Sequence, residues 1–219
     1  MAISFDLFGT LVAVDRPADP AAAVATELRD RGVAVPDDWP DAYTEVHVDA
    51  PDGAEVPLPA HVSAALRSRG VDAPANAARR AVVSAFDPEV RTRAGAVSAL
   101  EAAAERGPVG LLSNCAVPEL VARTLIRSDL DRDAFDAQVT SVACGWRKPS
   151  PQAFETLAGN LGVPPAELVH VGDDARTDGG VTGVGGRFVD VNGASLRRVA
   201  AAIREDSLSD LASGGSPCP

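Results

Sequence analysis

Apolar residues are spaced along this chain in two rhythms. Five short runs, one ending at Asp6 and the others over residues 109–112, 138–142, 168–171 and 187–191, have the length and residue bias of strands. Between them, apolar positions recur three and four apart. Val24 and Leu28 show this spacing, as do Val62 and Leu66, then Ala78, Val82 and Phe86, then Val97, Leu100 and Ala104. Val121 and Leu125 continue it, and Leu196, Val199, Ala200 and Ile203 form a fuller stripe. Phe154, Leu157, Ala158 and Leu161 follow i, i+3, i+4, i+7, which puts all four on one helix face.

Turn and cap residues mark where these elements stop. Asp19-Pro20 reads as a cap followed by proline at the first helical position, and Gly32 ends that helix. Residues 36–40 are turn-rich, 41–48 read as a short helix, and 50–59 as a loop. A helix over 60–69 stops at Gly70, and another starts from Asp72-Ala-Pro74. No strand pattern interrupts residues 17–87, so they read as an all-helical unit. From Asp87-Pro88 onward helices and strands alternate. Thr92 caps an expected helix over 93–105, Gly107-Pro108 breaks it, and further helices are expected over 118–128, 151–161 behind Ser150, and 195–204. Such alternation implies an α/β fold with a mainly parallel sheet and right-handed crossovers. The expected division is an α/β core of residues 1–15 and 88–205, a helical insert of 16–87, and a disordered tail of 206–219.

Composition narrows the classes. The chain of 219 residues is long enough for one core plus a small insert. It has no apolar run of the ~20 residues that span a bilayer, and no basic leader precedes the first strand, so no membrane association and no signal peptide are expected. A net charge of −11 argues against nucleic acid as a partner. Lys148 is the only lysine beside 19 arginines. Acidity with almost no lysine suits a halophilic protein working in concentrated salt; a GC-rich genome would also favour Arg over Lys. Cys115, Cys144 and Cys218 have neither metal spacing nor a disulfide framework, which fits buried filler in a reducing cytoplasm. The sequence carries no signal for an oligomeric state.

Four places offer chemistry. Asp6 ends the first strand, where open α/β sheets bind ligands; Gly9 permits a sharp turn, and Thr10 offers a hydroxyl. Ser113-Asn114, Lys148-Pro149 and Gly172-Asp173-Asp174 each follow an apolar run or lie in a loop near one. Each has a plain structural reading too: a strand-to-helix turn at Ser113-Asn114, a surface lysine at 148, helix capping by Asp173, Asp174 and Asp178. Taken in order, they resemble the haloacid dehalogenase (HAD) superfamily over roughly residues 1–191. Asp6-Leu-Phe-Gly-Thr-Leu is similar to motif I, Leu-Leu-Ser113-Asn114 to motif II, Trp-Arg-Lys148-Pro149 to motif III, and His-Val-Gly-Asp173-Asp174-Ala-Arg-Thr-Asp178 to motif IV.

The resemblance implies a Rossmann-like parallel-sheet core with an all-helical cap inserted after the first strand. It implies a hydrolase, a phosphatase before a dehalogenase, acting on a small phosphorylated metabolite through an aspartyl-phosphate on Asp6. Carboxylate and phosphate repel, so cations must converge on the site. Lys148 supplies a compact ammonium that a planar guanidinium replaces poorly. Mg²⁺ supplies the rest, held by Asp6, Asp173 and the Phe8 carbonyl, with Asp174 and Asp178 orienting waters or Lys148. Thr10, Ser113, Asn114 and Lys148 would bind the substrate, Ser113 and Asn114 by uncharged hydrogen bonds to phosphate. Arg147 is expected to face solvent. His170 reads as a packed core residue, His47 and His61 as surface residues, and Trp39 and Tyr43 as helix packing. The insert is expected to close over the core on hinges near 13–16 and 87–91.

The chain departs from the family pattern at Phe8. HAD phosphatases usually carry there a second Asp that protonates the leaving group, and loss of such a group lowers rates about 10²–10⁴-fold. Three readings follow. A Mg²⁺-dependent phosphohydrolase would use a substrate with a good leaving group, or an acid from the insert such as His47 or His61. A 2-haloacid dehalogenase-like enzyme would need neither that proton nor a metal, against which Asp173, Asp174 and Asp178 count. A non-catalytic HAD-fold binding protein would not need Asp6, Lys148 and Asp173 together.

Overall fold

In the computed structural model, which describes residues 1–74 and 76–212, strand β1 (Ala2–Phe5) is buried along its whole length. That burial follows from its place at the centre of a five-stranded parallel sheet. In chain order the other elements are β2 (Val12–Val14), α1 (Pro20–Asp30), α2 (Trp39–Thr44), α3 (Leu58–Ser68), α4 (Ala77–Ala85), β3 (Val90–Thr92), α5 (Ala96–Ala104), β4 (Val109–Ser113) and α6 (Leu120–Arg127). Then come β5 (Ala137–Thr140), α7 (Ser141–Cys144), α8 (Pro151–Leu161), β6 (Leu168–Gly172), β7 (Arg187–Asp190), α9 (Leu196–Arg204) and α10 (Leu208–Leu211). The sheet order is β5-β4-β1-β6-β7. Ile3 lies opposite Val109 on one side and Val169 on the other, so β1, β4 and β6 run in register toward one edge.

Helices cover both faces, as a parallel sheet requires. Phe5, Leu111, Val169 and Val189 pack with the α5 and α9 stripes; Leu112, Val139 and Leu168 pack with α8. Phe154 and Leu157 of α8 are fully buried, each contributing about 1.5–3 kcal/mol. Gly110 admits that helix: a Cβ there would meet Leu157 at 2.9 Å. His170 is the packed core residue expected, its Nδ1 accepting from the Ser4 hydroxyl at 2.9 Å across the β1–β6 pair.

Several expectations are corrected. Thr92 does not cap a helix over 93–105. It ends β3, which pairs antiparallel with β2, and its hydroxyl accepts from the Asp129 N–H at 2.8 Å. The helix begins at Ala96 behind Gly95, whose Cβ would lie 2.7 Å from the Arg197 nitrogen. Two strands of three residues are too short for their alternation to be seen. The strand expected over 138–142 turns helical at Ser141, and the helix expected over 41–48 starts earlier, at Trp39. The expected tail is helical at Leu208–Leu211 with Leu208 buried; 213–219, including Cys218, lie outside the described residues.

Four helices, α1–α4, lie between β2 and β3, and among the described residues of this stretch there is no strand. Trp39 is buried and donates through Nε1 to the Ala21 carbonyl at 2.9 Å; Tyr43 packs against it. His47 and His61 are not surface residues. Both are partly buried, with Nε2 2.6 Å from the Ala42 carbonyl and 2.7 Å from the Tyr43 carbonyl respectively. No helix among the described residues is long and apolar enough to cross a membrane.

Candidate active site

The C-terminal ends of β1, β4 and β6 open into a cavity of about 300 Å³ lined by Asp6, Phe8, Asn114, Lys148, Asp173 and Asp178. Asp6 still belongs to the ladder through its N–H, which donates to the Val171 carbonyl at 2.9 Å. The chain then turns on Gly9, at φ +93°, and the N–H groups of Leu11 and Val12 both donate to the Leu7 carbonyl. Gly9 also makes room for Asp173: a Cβ would lie 2.3 Å from its Oδ2.

Lys148 is the buried centre of this cluster, at 3 % exposure. Its Nζ donates to Asp6 Oδ1 at 2.7 Å, Asp178 Oδ1 at 2.6 Å and the Leu112 carbonyl at 2.8 Å, so all three donors are used. Its backbone is clamped by Asn114. The Lys148 N–H donates to Asn114 Oδ1 at 2.8 Å, and Asn114 Nδ2 donates to the Lys148 carbonyl at 2.9 Å. The side-chain amide expected to face a substrate thus positions the loop that delivers the ammonium.

The carboxylates have distinct surroundings. Asp178 opens a 3₁₀ segment, Asp178–Val184, and fits only because Gly172 has no side chain; a Cβ there would lie 2.1 Å from its Oδ2. It accepts from Lys148, from His170 Nε2 at 3.2 Å and from the Asp174 N–H at 3.1 Å. Burial alone would raise its carboxyl, but the His170 hydrogen bond and the Lys148 ammonium hold it well below the usual carboxylate range. Burial pushes Asp6 up to about 6, against the pull of Lys148 and with the Asp178 charge adding to the rise. Asp173 accepts from the Thr10 hydroxyl at 2.9 Å, and its backbone carbonyl accepts from Asn192 Nδ2 at 2.6 Å. Thr10 therefore props Asp173.

Asp174 does not reach Lys148. It pairs with Arg176 near the surface, which lowers its pKa, and caps the Arg176 N–H at 2.9 Å. Ser113 is fully buried, and its Oγ has no hydrogen-bond partner. An unsatisfied buried hydroxyl costs about 1–3 kcal/mol. Cys115 is buried, and burial pushes its thiol up to about 11, so it is a poor nucleophile. His47 and His61 are absent from the cavity lining.

A divalent cation fits the donor set. One oxygen each of Asp6, Asp173 and Asp178 lie within 4.8 Å of one another, and hard carboxylate oxygens suit Mg²⁺. Both Asp178 oxygens already accept hydrogen bonds, whereas Asp6 and Asp173 each accept through Oδ1 only, so their Oδ2 atoms have no hydrogen-bond partner among the described residues.

Arg93, Arg16 and Glu55 had no signal in the sequence pattern, and Arg147, expected to face solvent, is exposed at the mouth of the cavity. Arg93 donates to the Gly9 carbonyl and braces the turn after Asp6. Arg16 and Arg147 also line the cavity, Arg16 with its guanidinium 6.0 Å from the Phe8 ring centre. Glu55, from the segment between α2 and α3, accepts from the Ser141 hydroxyl. Beside it, Ala54 bridges Trp146, and the Arg147 N–H donates to the Gly53 carbonyl at 2.9 Å. The insert is thus stitched to the two residues preceding Lys148. A cleft of similar size between α3 and α4, about 320 Å³, has no paired carboxylates and no buried ammonium.

Comparison with known proteins agrees with this architecture. The family model described as haloacid dehalogenase-like hydrolase matches residues 1–179. No curated protein matches. Among solved structures, a HAD phosphatase from Thermococcus onnurineus aligns with TM-score 0.56 and 20% identity over 94% of this chain and 96% of that one. A 2-haloacid dehalogenase from Pseudomonas syringae pv. Tomato DC3000 aligns with TM-score 0.60 and 18% identity over 95% and 98%. CbbY from Rhodobacter sphaeroides, in complex with phosphate, aligns with TM-score 0.57 and 21% identity over 86% and 84%.

Proposed function

Because the chain belongs to the haloacid dehalogenase-like hydrolases, we propose that it is a Mg²⁺-dependent phosphohydrolase of small phosphomonoesters, with Asp6 as nucleophile. The observation that carries this reading is the Lys148 ammonium, buried and within 2.7 Å of Asp6. It offsets the repulsion between a carboxylate and a phosphate. At an effective dielectric near 20, unit charges 4 Å apart interact by about 4 kcal/mol, enough to decide whether the two can meet. A bound Mg²⁺ would add positive charge at the phosphoryl oxygens.

The remaining steps belong to side chains. Asp6 forms a bond to phosphorus as the ester P–O bond breaks, giving an aspartyl-phosphate and releasing the alcohol oxygen. Ser113, whose hydroxyl is otherwise unpartnered, donates to a phosphoryl oxygen. Asn114 holds Lys148 at the right depth. Water then attacks phosphorus, giving up a proton to solvent as the bond from Asp6 to phosphorus breaks, and inorganic phosphate leaves with the Asp6 carboxylate restored. Phe8 offers no proton, so substrates whose leaving oxygen is already a weak base, such as aryl esters, turn over fastest. The helical insert, stitched beside Lys148, acts as the cap that excludes water.

Phe8 also favours a second reading, 2-haloacid dehalogenation, whose halide leaving group needs no proton. Against it stands Asp173, a carboxylate propped beside Asp6 that a metal-free reaction does not use. A non-catalytic binding protein is the third reading. Incubation with 4-nitrophenyl phosphate or 2-chloropropionate, each with Mg²⁺ or EDTA, separates them. Phosphate release abolished by EDTA is expected. Halide release indifferent to EDTA would move the protein to the second reading, and silence in all arms with the fold intact to the third. Asp6→Asn is expected to lower phosphate release by about 10³-fold or more, with an unchanged circular dichroism spectrum.

A further inference from the structure

Two arginines at this cavity have no assigned part. Arginines that do not line it are committed: Arg31, Arg69, Arg79, Arg91, Arg127 and Arg176 each hold a carboxylate in an ion pair. Arg16 and Arg147 differ. Arg16 faces the Phe8 ring, and no ion pair is found for it among the described residues. Arg147 reaches only Glu55, at 3.9 Å. Both line the same cavity as Asp6 and Lys148, and both are exposed at its mouth.

Lys148 cannot serve a distal group, because its three donors are taken by Asp6, Asp178 and Leu112 at the cavity floor. A single phosphoryl group is already matched by that ammonium and a divalent cation. Of the two further guanidiniums at the mouth of this cavity, Arg147 has only the long contact to Glu55 and Arg16 has no close carboxylate among the described residues, which leaves both forks open to an anion on the substrate. The planar fork of Arg pairs with carboxylate and phosphate alike. A cavity of about 300 Å³ admits only a small molecule, so both anionic groups must be close together.

We propose that the substrate is a small phosphoester bearing a second anionic group, a carboxylate or a second phosphate, and that Arg16 and Arg147 select it. This rests on the phosphohydrolase reading for the first group only. Arg16 lies between β2 and α1, where the chain passes from core to insert, and Arg147 is tied to the insert through Gly53 and Glu55. An anion bridging the two guanidiniums would therefore favour the insert seated on the core.

Non-hydrolysable phosphonates test this without turnover. Calorimetric titration of the Mg²⁺-loaded protein compares ethylphosphonate with phosphonoacetate and with methylenediphosphonate. The expected result is binding at least about 10-fold tighter for one or both dianionic-plus ligands, the stronger one identifying carboxylate or phosphate. In the Arg16→Gln/Arg147→Gln double variant that ratio falls to about one. Equal affinities in the wild type, a ratio that survives the double substitution, or no binding of any phosphonate overturns the proposal. Phosphate release from 4-nitrophenyl phosphate reports separately on the catalytic reading, so an enzyme that hydrolyses it without the affinity gap defeats this inference alone.

Discussion

Lys148 is held by three acceptors arranged for one ammonium, two of them carboxylates and one a backbone carbonyl. A guanidinium is wider and planar, and it cannot reach all three from the same backbone position. Lys148→Arg, although it preserves charge, is expected to lower kcat/KM on an aryl phosphate by about 10²-fold or more. Activity within a few fold of wild type would show that charge alone suffices. His170 offers a second test. It is fully buried against Ser4, Asp178 and the Phe154 ring, and burial lowers its pKa from 6.5. The folded state thus holds neutral imidazole while the unfolded chain takes up a proton below pH 6.5. This contribution to stability is complete above that pH and is lost as pH falls below it. Asp6, raised to about 6, works in the opposite sense over the same range, so a difference measurement is needed. Urea midpoints at pH 8 and pH 5 should differ less in His170→Gln than in the wild type; an unchanged difference would place the effect elsewhere. At this scale the sequence was legible where a residue type is rare for its place. A lone lysine, an Asp ending an apolar run and an Asp after a strand-final glycine all met in space. The protein partners of Thr10, Asn114 and Asp174, namely Asp173, the Lys148 backbone and Arg176, were not legible, because local sequence does not say which neighbour a side chain faces.

The turn after β1 is a tight element fixed by a missing side chain. Gly9 sits at φ +93° with Asp173 Oδ2 only 2.3 Å from where its Cβ would be. Gly9→Ala combines an unfavourable backbone with a collision against the proposed metal ligand. It is expected to cost about 1–3 kcal/mol in urea unfolding and to weaken Mg²⁺ binding in titration. Loss of stability with metal affinity intact would mean that Asp173 can move aside. The helices were read with sound faces, because α8 and α9 carry full apolar stripes. The β2–β3 ribbon was missed, since three residues per strand give no period. The last residue of its second strand, Thr92, reads as the cap of a helix over 93–105 that in fact begins only after Gly95. The stitch between Gly53–Glu55 and Gly145–Arg147 is mostly backbone hydrogen bonding, which leaves no trace in side-chain pattern.

For the whole molecule, alternation of strand and helix was enough to read a parallel sheet with its site at one edge. How the insert lies on that edge was not legible, since it depends on contacts distant in sequence. Net charge acts at this scale as well. At −11 the folded chain repels itself, and each exposed ion pair returns little. The screening length falls from about 10 Å at 0.1 M salt to about 3 Å at 1 M. The melting temperature is therefore expected to rise with KCl over that range, where about 1 kcal/mol corresponds to roughly 2–4 °C. A flat or falling curve would mean that surface pairs outweigh the repulsion. The chain's sole lysine, at 3 % exposure, also makes the protein its own chemical probe. An acylating reagent that attacks primary amines meets, in the native molecule, the α-amino group and no reachable side chain. Any acyl mark found by mass spectrometry on residue 148 then records a moment when the floor of the cavity stood open, and its rate of appearance, followed with and without a bound anion, clocks that opening.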